Sequence, residues 1–184
     1  MRVLGISGSL RRDSYNTKLL RAAEELLPEG VDLELYEELE QVPPYNQDRD
    51  TDEAPLAVAR LREAIAEADA VLFATPEYNG SVPGQLKNAV DWASRPHRVA
   101  ALWGKPVVVV GATTGMFGAV WAQADLRKIL KTAGARVIDS EVAVGKADTR
   151  FARDGTLLDE DIREQLAETV ELLVAEARPR LVAA

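Results

Sequence analysis

The sequence predicts an α/β fold in which helices cover both faces of a parallel, five-stranded sheet. Short apolar segments alternate with longer amphipathic segments, and this alternation is typical of strands joined by crossover helices. Residues 70–75 and 106–112 are almost continuously apolar, as strands buried on both faces are. No repeat, linker or low-complexity segment is present in the 184 residues, so we expect a single domain over residues 1–184.

In the first half of the chain, strands are predicted at residues 2–7 and 31–36. Between them, leucines and alanines at helical spacing predict a helix over residues 16–27, which a proline and a glycine end. A polar segment, residues 39–53, is longer than most such connections. It covers a ligand, forms a contact or is a loosely held insertion. A proline in the first turn predicts the next helix, over residues 55–68.

In the second half, four consecutive valines make residues 106–112 the clearest central strand, and residues 70–75 form the strand before it. The final helix carries acidic residues in its first turn, which suits the positive end of the helix dipole. The remaining elements are helices over residues 83–93, 118–133 and 159–178 and a fifth strand over residues 136–144.

Composition excludes several classes of protein. The formal net charge of −8 and the pI near 4.8 argue against binding to nucleic acid or to an anionic membrane surface. The absence of cysteine excludes disulfides, thiolate nucleophiles and cysteine metal sites. No segment has the length of a membrane helix, and the N-terminus has no signal-like apolar stretch. We therefore expect a cytoplasmic protein without membrane insertion.

The loop after the first strand, G-S-L-R-R-D-S-Y-N from Gly8, has the composition of an anion site. A helix N-terminus supplies unpaired N–H groups, and Gly8 permits close approach of the backbone. Ser9, Ser14 and Asn16 add neutral donors. Arg11 adds a planar charged group. The G-x-G-x-x-G and G-K-[ST] spacings are missing, which favours a lone monophosphate such as that of FMN. The alternative is a surface turn whose Ser and Asn cap the helix.

Two further loops follow the third and fourth strands. T-P-E-Y-N-G-S-V-P-G spans residues 75–84, and G-A-T-T-G-M-F-G spans residues 111–118. Parallel sheets bind ligands at the carboxyl ends of their strands, so we expect all three loops to meet in one crevice. Glycines, small hydroxyl residues and an aromatic side chain suit a planar ring whose polar edge contacts backbone N–H groups.

These motifs resemble those of the NADPH-dependent FMN reductase family, which includes bacterial quinone and chromate reductases. The resemblance rests on G-S-L-R-x-x-S-x-N at residues 8–16, P-E-Y-N-G-S at residues 76–81 and L-K-N-A-x-D-W at residues 86–92, and it extends over nearly the whole chain. It implies a flavodoxin-like, three-layer α/β/α fold. It also implies that the first loop holds the FMN phosphate and that the second lies along the flavin ring.

The resemblance further implies which residues bind the cofactor. Ser9, Arg11, Ser14 and Asn16 would hold the phosphate, and a backbone N–H of the second loop would lie near the flavin N5. The third loop departs from the family pattern, because threonines replace serine and Ala119 replaces the second glycine of a Gly-Gly pair. The complete cofactor-binding set is Ser9, Arg11, Ser14, Tyr15, Asn16, Pro76, Glu77, Tyr78, Asn79, Gly80, Ser81, Thr113, Thr114 and Gly115.

The implied activity is the transfer of a hydride from NADPH or NADH to FMN, followed by transfer of two electrons to quinones or similar small acceptors. Chromate, azo and nitro compounds are further candidate acceptors. FMN carries the chemistry, so no catalytic side chain and no metal are expected. The order is expected to be ping-pong, with NADP⁺ leaving before the acceptor enters. The resemblance also implies a homodimer or homotetramer.

Two other functions stay open. A flavodoxin-type electron carrier would need no nicotinamide, but such proteins usually have a threonine-rich phosphate loop, whereas this loop carries Arg11. A flavin reductase that releases reduced FMN to a partner monooxygenase would hold FMN weakly.

Several individual residues also allow more than one role. Trp92 fits either core packing or a subunit interface beside the flavin. Glu77 shapes its loop or pairs with a basic residue. Lys87 and Asp91 are spaced to form an ion pair within a helix, or they reach a neighbouring subunit. His97 is expected in a solvated loop.

Overall fold

All strands of the central sheet are parallel in the computed structural model, which describes residues 1–178. Their spatial order is β2-β1-β3-β4, with β5 and β6 both beside β4. The predicted α/β architecture is confirmed, and residues 179–184 of the predicted domain lie outside the described part. The strands are β1 (Arg2–Ser7), β2 (Asp32–Leu35), β3 (Ala70–Thr75), β4 (Pro106–Ala112), β5 (Arg136–Val137) and β6 (Ala143–Val144).

Helices cover both faces of this sheet, as predicted. α1 and α6 pack on one face, and α2, α3 and α4 pack on the other. No helix within residues 1–178 is both long and apolar enough to cross a membrane. The helices are α1 (Tyr15–Glu24), α2 (Leu56–Glu67), α3 (Gly84–Ala93), α4 (Val120–Thr132), the short α5 (Ala147–Arg150) and α6 (Glu160–Ala177).

The central strands are apolar on both sides because each face of the sheet has its own core. Successive strand residues point to opposite faces. Phe73 and Val109 belong to the core under α2, α3 and α4, whereas Leu72 and Val108 belong to the core under α1 and α6. All four side chains are at most 1% exposed. This two-sided burial explains why residues 70–75 and 106–112 form strands with the predicted bounds.

The predicted fifth strand is present as two short pieces. Between its pairings with β5 and β6, β4 advances four positions, from Val107 to Gly111, while the partner segment advances six, from Val137 to Ala143. The extra residues form a tight turn in which the Ser140 N–H donates to the Ile138 carbonyl (3.1 Å). Such an interruption of the strand pairing is a β-bulge, and it changes the direction of the chain that follows it.

The 39–53 segment is held against the body of the protein, so it is not a loosely held insertion. It contains two 3₁₀ turns, Leu39–Gln41 and Gln47–Arg49. Side chains of α3 bond to its backbone: Gln85 donates to the Leu39 carbonyl (2.6 Å), and the Trp92 indole donates to the Pro43 carbonyl (2.8 Å). The segment therefore forms an intramolecular contact.

Trp92 is completely buried by this contact. Its ring meets the Tyr45 ring edge-on, with centroids 4.8 Å apart. Of its two predicted roles, core packing is the one the structure shows. The predicted ion pair on the same helix is confirmed, since the Lys87 ammonium lies 2.7 Å from the Asp91 carboxylate.

Replacing Trp92 with Phe tests whether α3 holds this segment. The change removes the indole donor and leaves a small void, so we expect the free energy of unfolding to fall by about 1–3 kcal/mol. Urea denaturation measures it. The matched control is Trp121→Phe on a half-exposed tryptophan, which should change stability by less than about 0.5 kcal/mol. Equal effects of the two substitutions would contradict this role for Trp92.

Candidate cofactor site

Three loops meet at the carboxyl edge of the sheet, at the ends of β1, β3 and β4. The strand order reverses between β1 and β3, and ligands of open α/β sheets bind at such a switch point. The loops enclose a cleft of about 170 Å³. Its lining residues are Ser9, Arg11, Ser14, Tyr15, Asn16, Pro76, Glu77, Tyr78, Ala112, Thr113 and Thr114.

Most of the predicted site residues therefore lie together. Ala112 lines the cleft and was missed by the sequence analysis, because an alanine at a strand end carries no chemical signal. The predicted residues outside the lining are Asn79, Gly80, Ser81 and Gly115.

Gly8 allows the first loop to pack directly on the second. Its N–H donates to the Ala74 carbonyl at the end of β3 (2.8 Å). A Cβ at this position would lie 2.7 Å from a methyl carbon of Leu86 and 3.2 Å from the ring of Pro76. The absence of a side chain at Gly8 therefore makes room for Leu86 and Pro76.

Ser14 begins α1 and leaves donors available at its N-terminus. Its Oγ accepts hydrogen bonds from the N–H groups of Asn16 (3.2 Å) and Thr17 (3.3 Å). The hydroxyl proton stays free to donate to a ligand, because Oγ acts as acceptor in both bonds. Within residues 1–178, the backbone N–H groups of Arg12 and Tyr15 make no hydrogen bond. These donors surround a helix N-terminus, where an anion is favoured.

The Arg11 side chain is exposed at the rim of the cleft and takes part in no ion pair among the described residues. Its neighbour Asp13 is paired with Lys18, whose ammonium lies 2.6 Å from the carboxylate. That hydrogen bond holds the pKa of Asp13 below its ordinary value, with a smaller contribution from the charge of Arg11. The negative charge beside the loop is thus compensated by Lys18, and the Arg11 guanidinium is available to an anion.

Asn16 joins the first loop to the end of β4. Its side-chain amide makes two hydrogen bonds with Ala112, donating to the carbonyl (3.0 Å) and accepting from the N–H (3.0 Å). Asn16 is 3% exposed, so both bonds are shielded from water. The amide has a second N–H, and contact between Asn16 and a phosphate remains a prediction.

The second loop contains a β-hairpin with a two-residue turn. Tyr78 and Ser81 exchange backbone hydrogen bonds (3.1 and 3.2 Å), and Asn79 (φ 54°) and Gly80 (φ 74°) form the turn between them. Positive φ at both central residues is the type I′ pattern, for which Asn-Gly is the preferred sequence. The dipeptide is thus a local signal for this hairpin. Asn79 and Gly80 lie at its tip, and the Ser81 hydroxyl donates to Asp125 of α4 (2.8 Å).

Glu77 connects the second loop to the first turn of α4, the helix that follows the third loop. Its Oε2 accepts from the backbone N–H groups of Trp121 and Ala122, each at 3.1 Å. The residue that precedes α4, Ala119, has φ 64° and offers no side-chain cap. Glu77 therefore supplies the cap and a favourable negative charge at this helix N-terminus. Of the two roles left open for Glu77, shaping the loop is the one seen here.

The third loop is fixed by the chain that follows the bulge. The Thr113 N–H donates to the Val144 carbonyl (3.0 Å), and the Lys146 N–H donates to the Gly115 carbonyl (2.8 Å). A Cβ on Gly118 would lie 2.4 Å from the Ala143 carbonyl carbon. The close packing of Gly118 therefore excludes any larger residue. Gly115 contributes to this loop through its backbone.

His97 lies away from the cleft. It is exposed in the loop after α3, and its ring meets Trp103 edge-on at 5.2 Å. The predicted loop position of His97 is confirmed.

The 2-1-3-4-5 sheet and the serine- and arginine-containing loop after β1 define a flavodoxin-like α/β protein. A family model described as NADPH-dependent FMN reductase matches residues 1–149. The chain belongs to this family, as its motifs indicated, and is an oxidoreductase. FMN and NAD(P)H are the cofactors of the family.

Similar proteins include both FMN reductases and quinone reductases. An NAD(P)H-dependent FMN reductase from Pseudomonas aeruginosa is 44% identical over 174 residues, which cover 94% of this chain and 93% of that protein. A 2-hydroxy-1,4-benzoquinone reductase from Burkholderia sp. is 35% identical over 183 residues, covering 99% of each chain. The solved structure of FerB, a flavoenzyme NAD(P)H:(acceptor) oxidoreductase from Paracoccus denitrificans, is 37% identical, with a TM-score of 0.85 and 96% of each chain covered.

Replacing Glu77 with Ala removes the cap of α4, and we expect a loss of about 1 kcal/mol in the free energy of unfolding. Glu77→Gln keeps an acceptor oxygen and should lose less. Urea denaturation of both variants measures the difference. Equal losses of stability in the two variants would contradict the role of the side-chain oxygen at position 77 as hydrogen-bond acceptor for the α4 N-terminus.

Replacing Asn16 with Ala removes both hydrogen bonds to Ala112 and leaves the buried Ala112 carbonyl without the amide donor. We expect a loss of about 2–4 kcal/mol in the free energy of unfolding. Asn46→Ala is the control, because Asn46 accepts from the Asp48 N–H at an exposed 3₁₀ turn and should lose about 1 kcal/mol or less. A loss at position 16 no larger than that at position 46 would contradict the buried connection to β4.

Proposed function

We propose that this protein binds FMN in the three-loop cleft, takes reducing equivalents from NAD(P)H and passes two electrons to quinones. The observation that carries the proposal is the set of donors at the first loop: the α1 N-terminus, the Ser14 hydroxyl and the Arg11 guanidinium, which forms no ion pair with another described residue, lie beside a cleft. When bound, FMN accepts a hydride from a reduced nicotinamide and passes two electrons to an acceptor. The family and the quinone reductases among the similar proteins support this function.

The residues of the chain bind and orient the cofactor. Ser9, Ser14 and Arg11 provide neutral and charge-assisted donors for a phosphate. Pro76, Glu77 and Tyr78 line the wall formed by the second loop, where the flavin ring is placed by the family resemblance. Thr113 and Thr114 line the opposite wall with hydroxyl groups. Asn79, Gly80, Ser81 and Gly115 shape these walls through backbone geometry.

The alternatives differ in what FMN does after binding. A flavodoxin-type carrier would not react with a nicotinamide, and a flavin reductase serving a monooxygenase would release its flavin. The charged Arg11 and the helix N-terminus favour firm retention of a phosphate. The reductase is therefore the preferred function.

We also propose that the protein is a cytoplasmic homodimer or homotetramer. A groove of about 330 Å³ separates α3 and α4. Val90, Ile129 and Ala133 contribute apolar surface to it, and Lys87 and Lys128 contribute charge. This composition suits contact with a second copy of the chain. Gel filtration that gives a monomer at low micromolar concentration would contradict the oligomer.

Arg11→Ala removes the charge-assisted contact from the phosphate site. We expect the dissociation constant of FMN to rise at least about tenfold, equivalent to about 1.5–3 kcal/mol. Flavin fluorescence during titration of the apoprotein measures it. Arg12→Ala makes the same charge change outside the cleft lining and should raise the constant less than about threefold. Unchanged affinity after Arg11→Ala would contradict the phosphate assignment.

Steady-state kinetics tests the proposed activity. With NADPH and a quinone varied together, parallel double-reciprocal lines are expected, because the oxidised nicotinamide leaves before the acceptor enters the same site. Intersecting lines would contradict this order. Prompt anaerobic bleaching of the flavin absorbance by NADPH excludes a simple carrier, and retention of the colour on a desalting column excludes a flavin-releasing reductase.

A further inference from the structure

Four large apolar side chains are exposed in the second loop, the third loop and the first turn of α4. Tyr78 is 50% exposed, Met116 69%, Phe117 57% and Trp121 52%. The rings of Phe117 and Trp121 meet edge-on with centroids 5.1 Å apart. We call these four residues the aromatic shelf. Contiguous apolar surface of this kind on a soluble protein marks a site of interaction.

The shelf is continuous with the cofactor cleft. Tyr78 belongs to both, and Glu77, which lines the cleft, bonds to the backbone of Trp121. Thr114, on the opposite wall, precedes Met116 by two positions. A molecule held over the cleft therefore has the shelf beside it.

The position and charge of the shelf select a neutral occupant. Three of its residues, Met116, Phe117 and Trp121, follow β4, two strand spacings or about 10 Å from β1, whereas Arg11 and Arg12 follow β1. Residues 116–121 contain no charged side chain. Two carboxylates form hydrogen bonds beside it: Glu77 with the Trp121 N–H and Asp125 with the Ser81 hydroxyl. The phosphates of a dinucleotide and an oxyanion such as chromate are thus disfavoured at the shelf, and an uncharged aromatic molecule is favoured.

The shelf is also held in place before any ligand arrives. The Met116 carbonyl lies so close to Gly145 that a Cβ there would be 2.1 Å from its oxygen, and Gly118 packs equally closely on Ala143. Glu77 fixes the first turn of α4 on which Trp121 stands. Little conformational freedom remains to be lost when a planar ring binds.

We propose that the aromatic shelf binds the apolar ring or hydrocarbon substituent of the electron acceptor and selects hydrophobic quinones over small polar acceptors. This inference rests on the proposed function, since it names the class of quinone that the cleft would take. Phe117 and Trp121 are then specificity-determining residues that contact the acceptor outside the cofactor cleft.

The test is equilibrium binding of 2-methyl-1,4-naphthoquinone to the oxidised FMN-loaded protein, measured by titration calorimetry without NADPH, so that no turnover occurs. Phe117→Ala and Trp121→Ala should each raise the dissociation constant about three- to tenfold. Trp121→Phe keeps an aromatic ring and should restore most of the affinity. The matched control is Leu158→Ala, which truncates an exposed leucine (61%) elsewhere and should bind the quinone like the wild type.

Kinetics supplies a second readout. In the two shelf variants, the ratio of kcat/KM for the naphthoquinone to kcat/KM for ferricyanide should fall about three- to tenfold. Ferricyanide is a charged acceptor that gains nothing from an apolar surface. Unchanged naphthoquinone affinity in both variants overturns the proposal. An altered oligomeric state at unchanged affinity also overturns it, because a second copy of the chain would then occupy the shelf.

The wild-type protein separates failure of this inference from failure of the proposed function. Reduction by NADPH and reoxidation by ferricyanide, without binding of the naphthoquinone, would overturn only the role of the shelf. Absence of reduction by NADPH in the FMN-loaded protein would overturn the proposed function itself.

Discussion

The candidate site depends most on the buried pair of hydrogen bonds between Asn16 and Ala112. The two residues are 96 positions apart in the chain, and β3 lies between the strands that lead to them. The pair is shielded from water, so water cannot replace the two hydrogen bonds when they are broken. The amide thereby fixes the distance between the loop after β1 and the loop after β4, and the width of the cleft follows from that distance.

Glu77 and Gly8 complete the same arrangement. Gly8 allows the first loop to pack on the second, and Glu77 binds the second loop to the helix that follows the third. Each loop is therefore attached to another by contacts that need no ligand. A cleft formed in advance in this way spends little binding energy on ordering the protein, which is suitable for a cofactor that carries the chemistry itself.

The sequence predicts best the parts of the fold that two-sided burial decides. β3 and β4 have the predicted bounds because apolar residues on both faces leave few alternatives. The bulge between Val137 and Ala143 depends on how this segment pairs with β4. The sequence does not predict it, because the local pattern of the segment is that of one continuous strand. The 39–53 segment reads as a polar loop, since its partners Gln85 and Trp92 lie more than 40 residues away.

The same distinction between local and distant interactions applies to the site. The composition of the first loop predicts an anion site because its donors lie next to one another in the chain. The cap that Glu77 gives to α4 spans more than 40 residues, and the two bonds of Asn16 span more than twice that number. The Asn79–Gly80 hairpin is different, because the dipeptide itself indicates the type I′ turn.

Recognition of a flavin by its phosphate is the central claim, and titration of the apoprotein with FMN and with riboflavin, which lacks the phosphate, tests it most directly. The first loop predicts that FMN binds at least about tenfold more tightly than riboflavin. Equal affinities for the two flavins, or no binding of either, would contradict the assignment of the loop after β1 as the phosphate site.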